Sequence, residues 1–399
     1  MEPWRRNQYA VLVAVFTSYM GFAFVQPFMP LYIRDLGVTD VGEAALYSGI
    51  AVGIAPLFSG FLAPFWGMLA DRFGVKIMVQ RAMLSFVIIN ILLGLVVAPW
   101  QLLLLRTGIG LFGGFGPMTA SLVTIGVPQE QVGPAIGRLQ ATQILASAVG
   151  PFVGGILADT LGIRATFFFT AGFCLLAFVL MTVLYHEERA DPAGRRARAR
   201  MPMRVMLALP GFLPLIAILF CTQAVDRGFG PILPLYVAEI DPTVPVASTS
   251  GLILSAGALV SALAATQVGG MLSRRGARLL LPLSLLIGFA AAAPVFLVTA
   301  VWQLVLLRVV FGIASGTTAT LAYAAATDVV PEESRATAFG FLGSGTSLAN
   351  ALGPFGAGAI ASVALRTSFA ASACLYGVAL ALGVMVFARR ARPAPVSSA

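Results

Sequence analysis

Apolar residues fall along this chain in long blocks separated by short polar or glycine-containing stretches. Each block reaches the ~20 residues that a helix needs to cross the hydrocarbon core of a bilayer. Twelve are readable, at roughly 8–33, 46–69, 77–98, 100–124, 134–158, 163–185, 207–237, 248–272, 277–299, 302–326, 336–361 and 366–388. The third and fourth blocks are nearly continuous, as are the ninth and tenth. The cuts between them rest on Pro99 and on Trp302, a residue type enriched at membrane interfaces. The pattern predicts an all-α integral membrane protein with twelve transmembrane helices, and it leaves too little chain for a water-soluble catalytic domain.

Composition agrees: 59% of residues are hydrophobic and 10% charged, where a soluble domain carries about a quarter charged. The hydrophobic run after MEPWRRNQYA is too long for a signal peptide and lacks a small-residue cleavage site, so it reads as the first helix. Cys174, Cys221 and Cys374 lie inside apolar blocks and are expected to be packing residues, forming neither a disulfide framework nor a metal site. With the N-terminus inside, cytoplasmic segments hold 19 of the 25 Lys and Arg, outer loops hold Arg34, Arg164 and Arg366, and three more sit within helices. The positive-inside rule therefore places both termini in the cytoplasm. The net charge of +9 follows from that topology and requires no nucleic-acid partner. Abundant Arg and Ala beside almost no Lys point to a GC-rich bacterial genome, which makes the bacterial inner membrane the expected location.

The charged stretch HEERADPAGRRARARMPMR, 186–205, divides the chain into six-helix units at 1–185 and 206–399. The two units repeat one another. WQLLLLR at 100–106 recurs as WQLVLLR at 302–308, PFMPLY at 27–32 as PILPLY at 231–236, GML at 67–69 as GML at 270–272, and Gly150-Pro151 as Gly353-Pro354, at an offset that stays between 202 and 204. Two such halves related by an axis along the membrane normal describe a transporter architecture with its substrate cavity between them near the midplane.

At this point the residues resemble a known family. GMLADRFGVK, 67–76, is similar to the loop signature of the major facilitator superfamily, with Gly67, Asp71, Arg72, Gly74 and Lys76 in register and Val75 where a basic residue is usual. RTGIG, 106–110, resembles that family's fourth-helix motif. GRLQATQILASAVGPFVGG, 137–155, resembles the antiporter motif of its drug:proton antiporters, with Gly137, Gly150, Pro151, Gly154 and Gly155 in place and Ala146 replacing a glycine. The resemblance implies that the 67–76 loop controls which side of the protein is closed, that Arg106 takes part in proton transfer, and that helices 1, 4, 7 and 10 line the cavity. On those helices the lining candidates are Tyr19, Phe22, Gln26, Tyr32, Phe112, Phe115, Met118, Gln223, Phe229, Thr317, Thr318 and Tyr323. Aromatic and Met surfaces with few amides suit amphipathic ligands of varied shape.

A charge at the bilayer centre costs about 2.5–3.5 kcal/mol on insertion scales, which makes such residues functional candidates. Asp226 is the one acidic residue well inside a predicted span; Asp328 lies near a span's end. Desolvation and nearby cations pull a carboxylate's protonation in opposite directions. Asp226 with Arg227, and with Arg106 or Arg308 across the cavity, is therefore a proton-coupling candidate; a permanent ion pair between helices is the other reading. Arg106 is open to two roles, reaching outward to the interface or holding polar groups of neighbouring helices. The sequence contains no GxxxxGK[ST] loop, and His186 is its only histidine. Neither an ATP-driven pump nor an enzyme is expected. The expected activity is proton-coupled efflux of small amphipathic compounds by a monomer, without cofactor other than the proton gradient. Import of a small metabolite and ligand sensing without transport are the alternatives.

Overall fold

A computed structural model of the chain describes residues 3–125, 127–185, 203–207, 209, 211–327, 329–331 and 334–390. The linker up to residue 202, with His186, and Asp328 lie outside them. Among the described residues every regular element is helical. The first half holds α1 (Pro3–Val25), α2 (Met29–Asp35), α3 (Val41–Phe73), α4 (Val75–Gly94), α5 (Pro99–Leu111), α6 (Phe115–Thr124), α7 (Gln129–Leu161) and α8 (Ile163–Leu184). The second holds α9 (Met203–Leu207), α10 (Phe212–Phe229), α11 (Leu233–Ile240), α12 (Val246–Ala292), α13 (Val301–Thr327), α14 (Arg335–Ala361) and α15 (Leu365–Arg390). Ten helical stretches among the described residues are long and apolar enough to span a bilayer, and the chain is a multi-pass membrane protein. The fourth predicted block is split instead into α5 and α6. The eleventh, α14, is rich in Gly, Ser and Thr and falls outside the ten.

The repeat has a physical basis at each matching stretch. Gln101 accepts from the Val97 N–H at 3.0 Å, and Gln303 accepts from the Thr299 and Ala300 N–H groups at 2.9 and 3.2 Å. In both halves a glutamine just inside the helix thus reaches back to satisfy amides that the helix start leaves unpaired. Gly74 and Gly276 both have positive φ, 96° and 71°, and each turns one long helix into the next; Gly276 divides α12 into two arms. Tyr32 donates to the Leu93 carbonyl at 2.6 Å and Tyr236 to the Val295 carbonyl at 2.8 Å.

One end of the bundle holds the start of α1 and the end of α15; we call it the terminal end, and its opposite the far end. α7 runs beside α1, with Arg138 bonded to Gln8 near the terminal end and Gly154 packed on Phe24 towards the far end. The halves meet along two seams, α3 with α14 and α7 with the first arm of α12. Small residues set the close approach on both. A Cβ on Gly42, Gly49 or Gly53 would collide with backbone of Ser362, Pro354 or Ala351, and one on Gly155 or Gly251 with backbone of Ala247 or Pro151. All of these contacts lie at the far end. On the same helices nearer the terminal end, a Cβ on Gly60, Gly67, Gly133, Gly137 or Gly340 would meet nothing within 4 Å. The bundle is therefore zipped at the far end and parted at the terminal end.

Candidate functional site

In the second half, α10 and α13 carry the charged chemistry. Asp226 accepts from Arg308 at 2.8 Å, with side chains 21% and 9% exposed. Of the sequence candidates for Asp226's partner, the structure brings in Arg308 and leaves out Arg106 and Arg227. The Arg308 guanidinium lies 5.0 Å from the Phe229 ring centre and 5.2 Å from that of Phe311, a cation–π setting that stabilises a desolvated charge. Its stem packs on Gly257 of α12, where a Cβ would meet Arg308 Cγ at 2.8 Å. Arg308 and Phe229 also line a small apolar cavity of about 20 Å³ with Val225, Leu304 and Ser372, room for about one water.

Arg227 is different. It is exposed on α10, and among the described residues no carboxylate pairs with it. Tyr19 belongs to an aromatic wall: its ring centre lies 6.5 Å from that of Phe22 and 6.1 Å from that of Phe115, while Phe86 lies 5.0 Å from Phe22 and 6.2 Å from Phe115. Met118 packs behind this wall, against Gly114. The first half thus presents an aromatic cluster, and the second carries an exposed arginine beside a paired one. Gln223 is half-buried one turn before Asp226.

Several candidates fall elsewhere. Tyr32 is fully buried, 4.8 Å from the Phe167 ring, with its hydroxyl bonded to a carbonyl, and serves as a packing residue. Gln26 is exposed in the 3-10 turn between α1 and α2. Thr317 returns its hydroxyl to the Ile313 carbonyl at 2.7 Å, the buried Thr318 hydroxyl lies 3.0 Å from that of Ser284, and Tyr323 packs edge-on against Phe339. Phe112 lies at the break between α5 and α6. There Gly114, with φ 90°, ends the helical run, and the carbonyls left open are filled from other helices. Trp66 Nε1 donates to Leu111 O at 3.0 Å, and Arg81 donates to Phe112 O and Gly113 O at 3.1 and 3.0 Å with its guanidinium 3.6 Å from the Trp66 ring centre. A cation on these carbonyls suits the negative end of α5. Arg106 is buried and does not reach outward: its NH2 group donates to the Met29 sulfur at 3.0 Å, and among the described residues it has no carboxylate partner.

The loop signature sits at the terminal end. Asp71 and Arg72 are exposed in the last turn of α3, Arg72 lies over Phe73, and Lys76 donates to the Tyr185 carbonyl at 2.7 Å. Gly67 faces open space, as does Gly137 of the antiporter-like motif. The remaining glycines of that motif divide by role. Gly150 and Gly154 pack α7 onto Ala23 and Phe24 of α1, inside the first half, whereas Gly155 meets Ala247 across the seam and the Pro151 carbonyl faces Gly251 there. Sequence reasoning missed Phe86 and Met29, which meet the site residues only through folding, and Gly251 and Asp159, which meet the opposite half at the far-end seam.

The sequence profile described as Major Facilitator Superfamily matches residues 11–248 and again 215–399. The chain is 35% identical over 380 residues to the multidrug resistance protein MdtG of Escherichia fergusonii, covering 93% of this chain and 92% of that protein. It is 36% identical over 318 residues to MdtG of Enterobacter lignolyticus, covering 78% and 75%. Among solved structures, a bacterial homolog of the human lysosomal transporter Spinster, in an inward-facing and occupied conformation, superposes with a TM-score of 0.83 at 18% identity over 99% of this chain and all of the other. A point mutant of the nucleoside transporter NupG superposes at 0.76 with 14% identity over 95% of this chain and all of the other. With both halves matched and relatives of this identity along most of its length, the chain belongs to the major facilitator superfamily, a family of transporters and not of enzymes.

Proposed function

We propose that the protein exports small amphipathic compounds from the bacterial cytoplasm by alternating access, driven by the proton gradient. The observation that carries this reading is the bundle zipped at the far end and parted at the terminal end, around a half-buried carboxylate held by one buried arginine. In it the chain makes twelve crossings, counting α5 with α6 as the fourth and α14 as the eleventh. Both termini are cytoplasmic, the units 1–185 and 206–399 rock about the seams, and the described state is inward-open. The loop of Gly67, Asp71, Arg72, Gly74 and Lys76 closes the terminal end in the other state. Asp226 exchanges its bond to Arg308 for a proton, and Arg106 remains a fixed cation in the wall of the first half. The name of the MdtG relatives favours export of drug-like compounds over import of a metabolite. The protein works as a monomer in this reading.

Charge narrows the cargo. The one acid in the site is neutralised by Arg308, and the next residue on α10, Arg227, is an exposed cation, so neutral and anionic amphiphiles fit better than cations. The test is uptake into inside-out vesicles under an inside-acid pH gradient, with anilinonaphthalene sulfonate as anionic probe and ethidium as cationic probe. Gradient-dependent accumulation of the anion is expected. Arg227→Gln should lower it about tenfold, a loss of roughly 1.4 kcal/mol, and Arg227→Glu should shift preference towards ethidium. No gradient-dependent uptake of either probe, or net inward movement in intact cells, would overturn the export reading.

A further inference from the structure

The two seams begin with helices that solve the same problem differently. At the far end, α3 starts with Asp40, whose own side chain accepts from the Glu43 N–H at 2.7 Å. The helix start carries unpaired amides, and a local carboxylate satisfies one of them. The corresponding helix of the second half, α12, starts after Pro245, which supplies no side-chain hydrogen bond. Its amides are met from the other half. Asp159, near the end of α7, accepts from the Ser248 N–H at 2.7 Å through one oxygen and from the Ala247 N–H at 3.3 Å through the other, and the Ser248 hydroxyl also donates to it. The carboxylate thus lies on the positive end of a helix dipole that belongs to the opposite half. One turn and more below it, Gly155 and Gly251 bring the two backbones together, and the Phe152 N–H donates to Ser255 Oγ at 3.1 Å.

We propose that Asp159 is the closing residue of the far gate, a cap supplied across the seam that forms when the far end shuts and is lost each time it opens. The asymmetry with Asp40 is the basis. Separation of the halves leaves α3 capped by its own residue, whereas α12 loses its cap, so the closed state alone gains the Asp159 contacts. Removing the carboxylate therefore raises the open-to-closed ratio and leaves the packing of each half intact. The inference rests on the alternating opening of the proposed function, but not on the direction of transport or the identity of the cargo.

The reporter is placed on the other seam. Ala45 of α3 is buried at the far end among residues of the second half and faces Gly358 of α14. In full-length protein lacking Cys174, Cys221 and Cys374, Ala45→Cys is labelled with a membrane-impermeant maleimide applied from the far side, without substrate or gradient. Asp159→Ala should speed labelling about tenfold, Asp159→Asn by less, and Asp159→Glu should stay near the parent rate. Labelling at the parent rate in Asp159→Ala, with normal thermal stability, would reduce Asp159 to a local cap and overturn the proposal. Loss of stability without faster labelling in Asp159→Asn would do the same. Because the readout needs neither cargo nor gradient, it holds even if export fails its own test.

Discussion

Asp226→Asn should abolish gradient-driven transport while leaving the protein folded in the membrane. An amide still accepts from Arg308 across 2.8 Å, so the helix contact survives, but it cannot bind and release a proton. Exchange of labelled cargo down its own gradient should persist. The pair's role in coupling is then separable from its role in holding α10 to α13. Removing one member of a buried pair leaves the other uncompensated and typically costs about 3–5 kcal/mol, whereas replacing both with apolar side chains is often neutral. Since Arg308 is the more buried partner, Asp226→Ala should be the least stable single variant, and Asp226→Leu with Arg308→Met should regain most of the lost melting temperature. The measurements are Tm in detergent and proton-driven flux in proteoliposomes. Normal flux in the double variant would make the pair structural.

The second large effect concerns the glycines. Gly155→Val and Gly251→Val should reach near-normal levels in the membrane and transport at least tenfold more slowly per molecule. Each places a side chain between backbones of opposite halves that meet at the closed far end, a contact the proposed cycle must break and remake. Gly150→Val and Gly154→Val should behave in the opposite way. They wedge α7 off Ala23 and Phe24 within one half, an overpacking that typically costs about 1–3 kcal/mol in every state of the cycle, and the loss should appear in the amount of folded protein. Size-exclusion profiles from solubilised membranes, taken with flux per molecule, separate the two. Four variants with the same ratio of flux to folded protein would overturn the division between seam and core glycines.

Much of the fold was legible because a spanning helix writes itself locally, in its length and apolarity, and because the duplication displays each structural device twice. Gln101 with Gln303, and Gly74 with Gly276, do matching work at matching places. The family resemblance, which placed Tyr32 on a lining helix, misled there: the recurrence of the PxxPLY run marks a shared packing role. What the sequence did not display depends on neighbours brought in by folding. The fourth span breaks at Gly114, and its open carbonyls are filled by Trp66 and Arg81 from α3 and α4; no local pattern connects those residues. The choice of Arg308 over Arg106 for Asp226 follows from which helices of one half touch. Asp159 and Ser248 are separated by 89 positions. Offset by about 203 from Asp226, the first half has Ala23, the residue on which Gly150 packs, so the matching place in the other repeat is taken up by a helix contact, and Arg106, the counterpart of Arg308, has no acid there to pair with.

Lys76 is the only lysine in the sequence, and its ammonium is tied to the carbonyl of Tyr185, just past the end of α8 and at the threshold of the inter-half linker. Amine-directed reagents consequently have one side chain to find in this protein. Acylation there would neutralise the cation and remove its bond to the backbone at which the linker begins, so the extent of modification, read by mass spectrometry on the intact chain, reports how firmly that attachment point is held. An arginine at this position would hold the same carbonyl with a group that such reagents do not acylate, and would leave them no side-chain amine to modify without changing the charge.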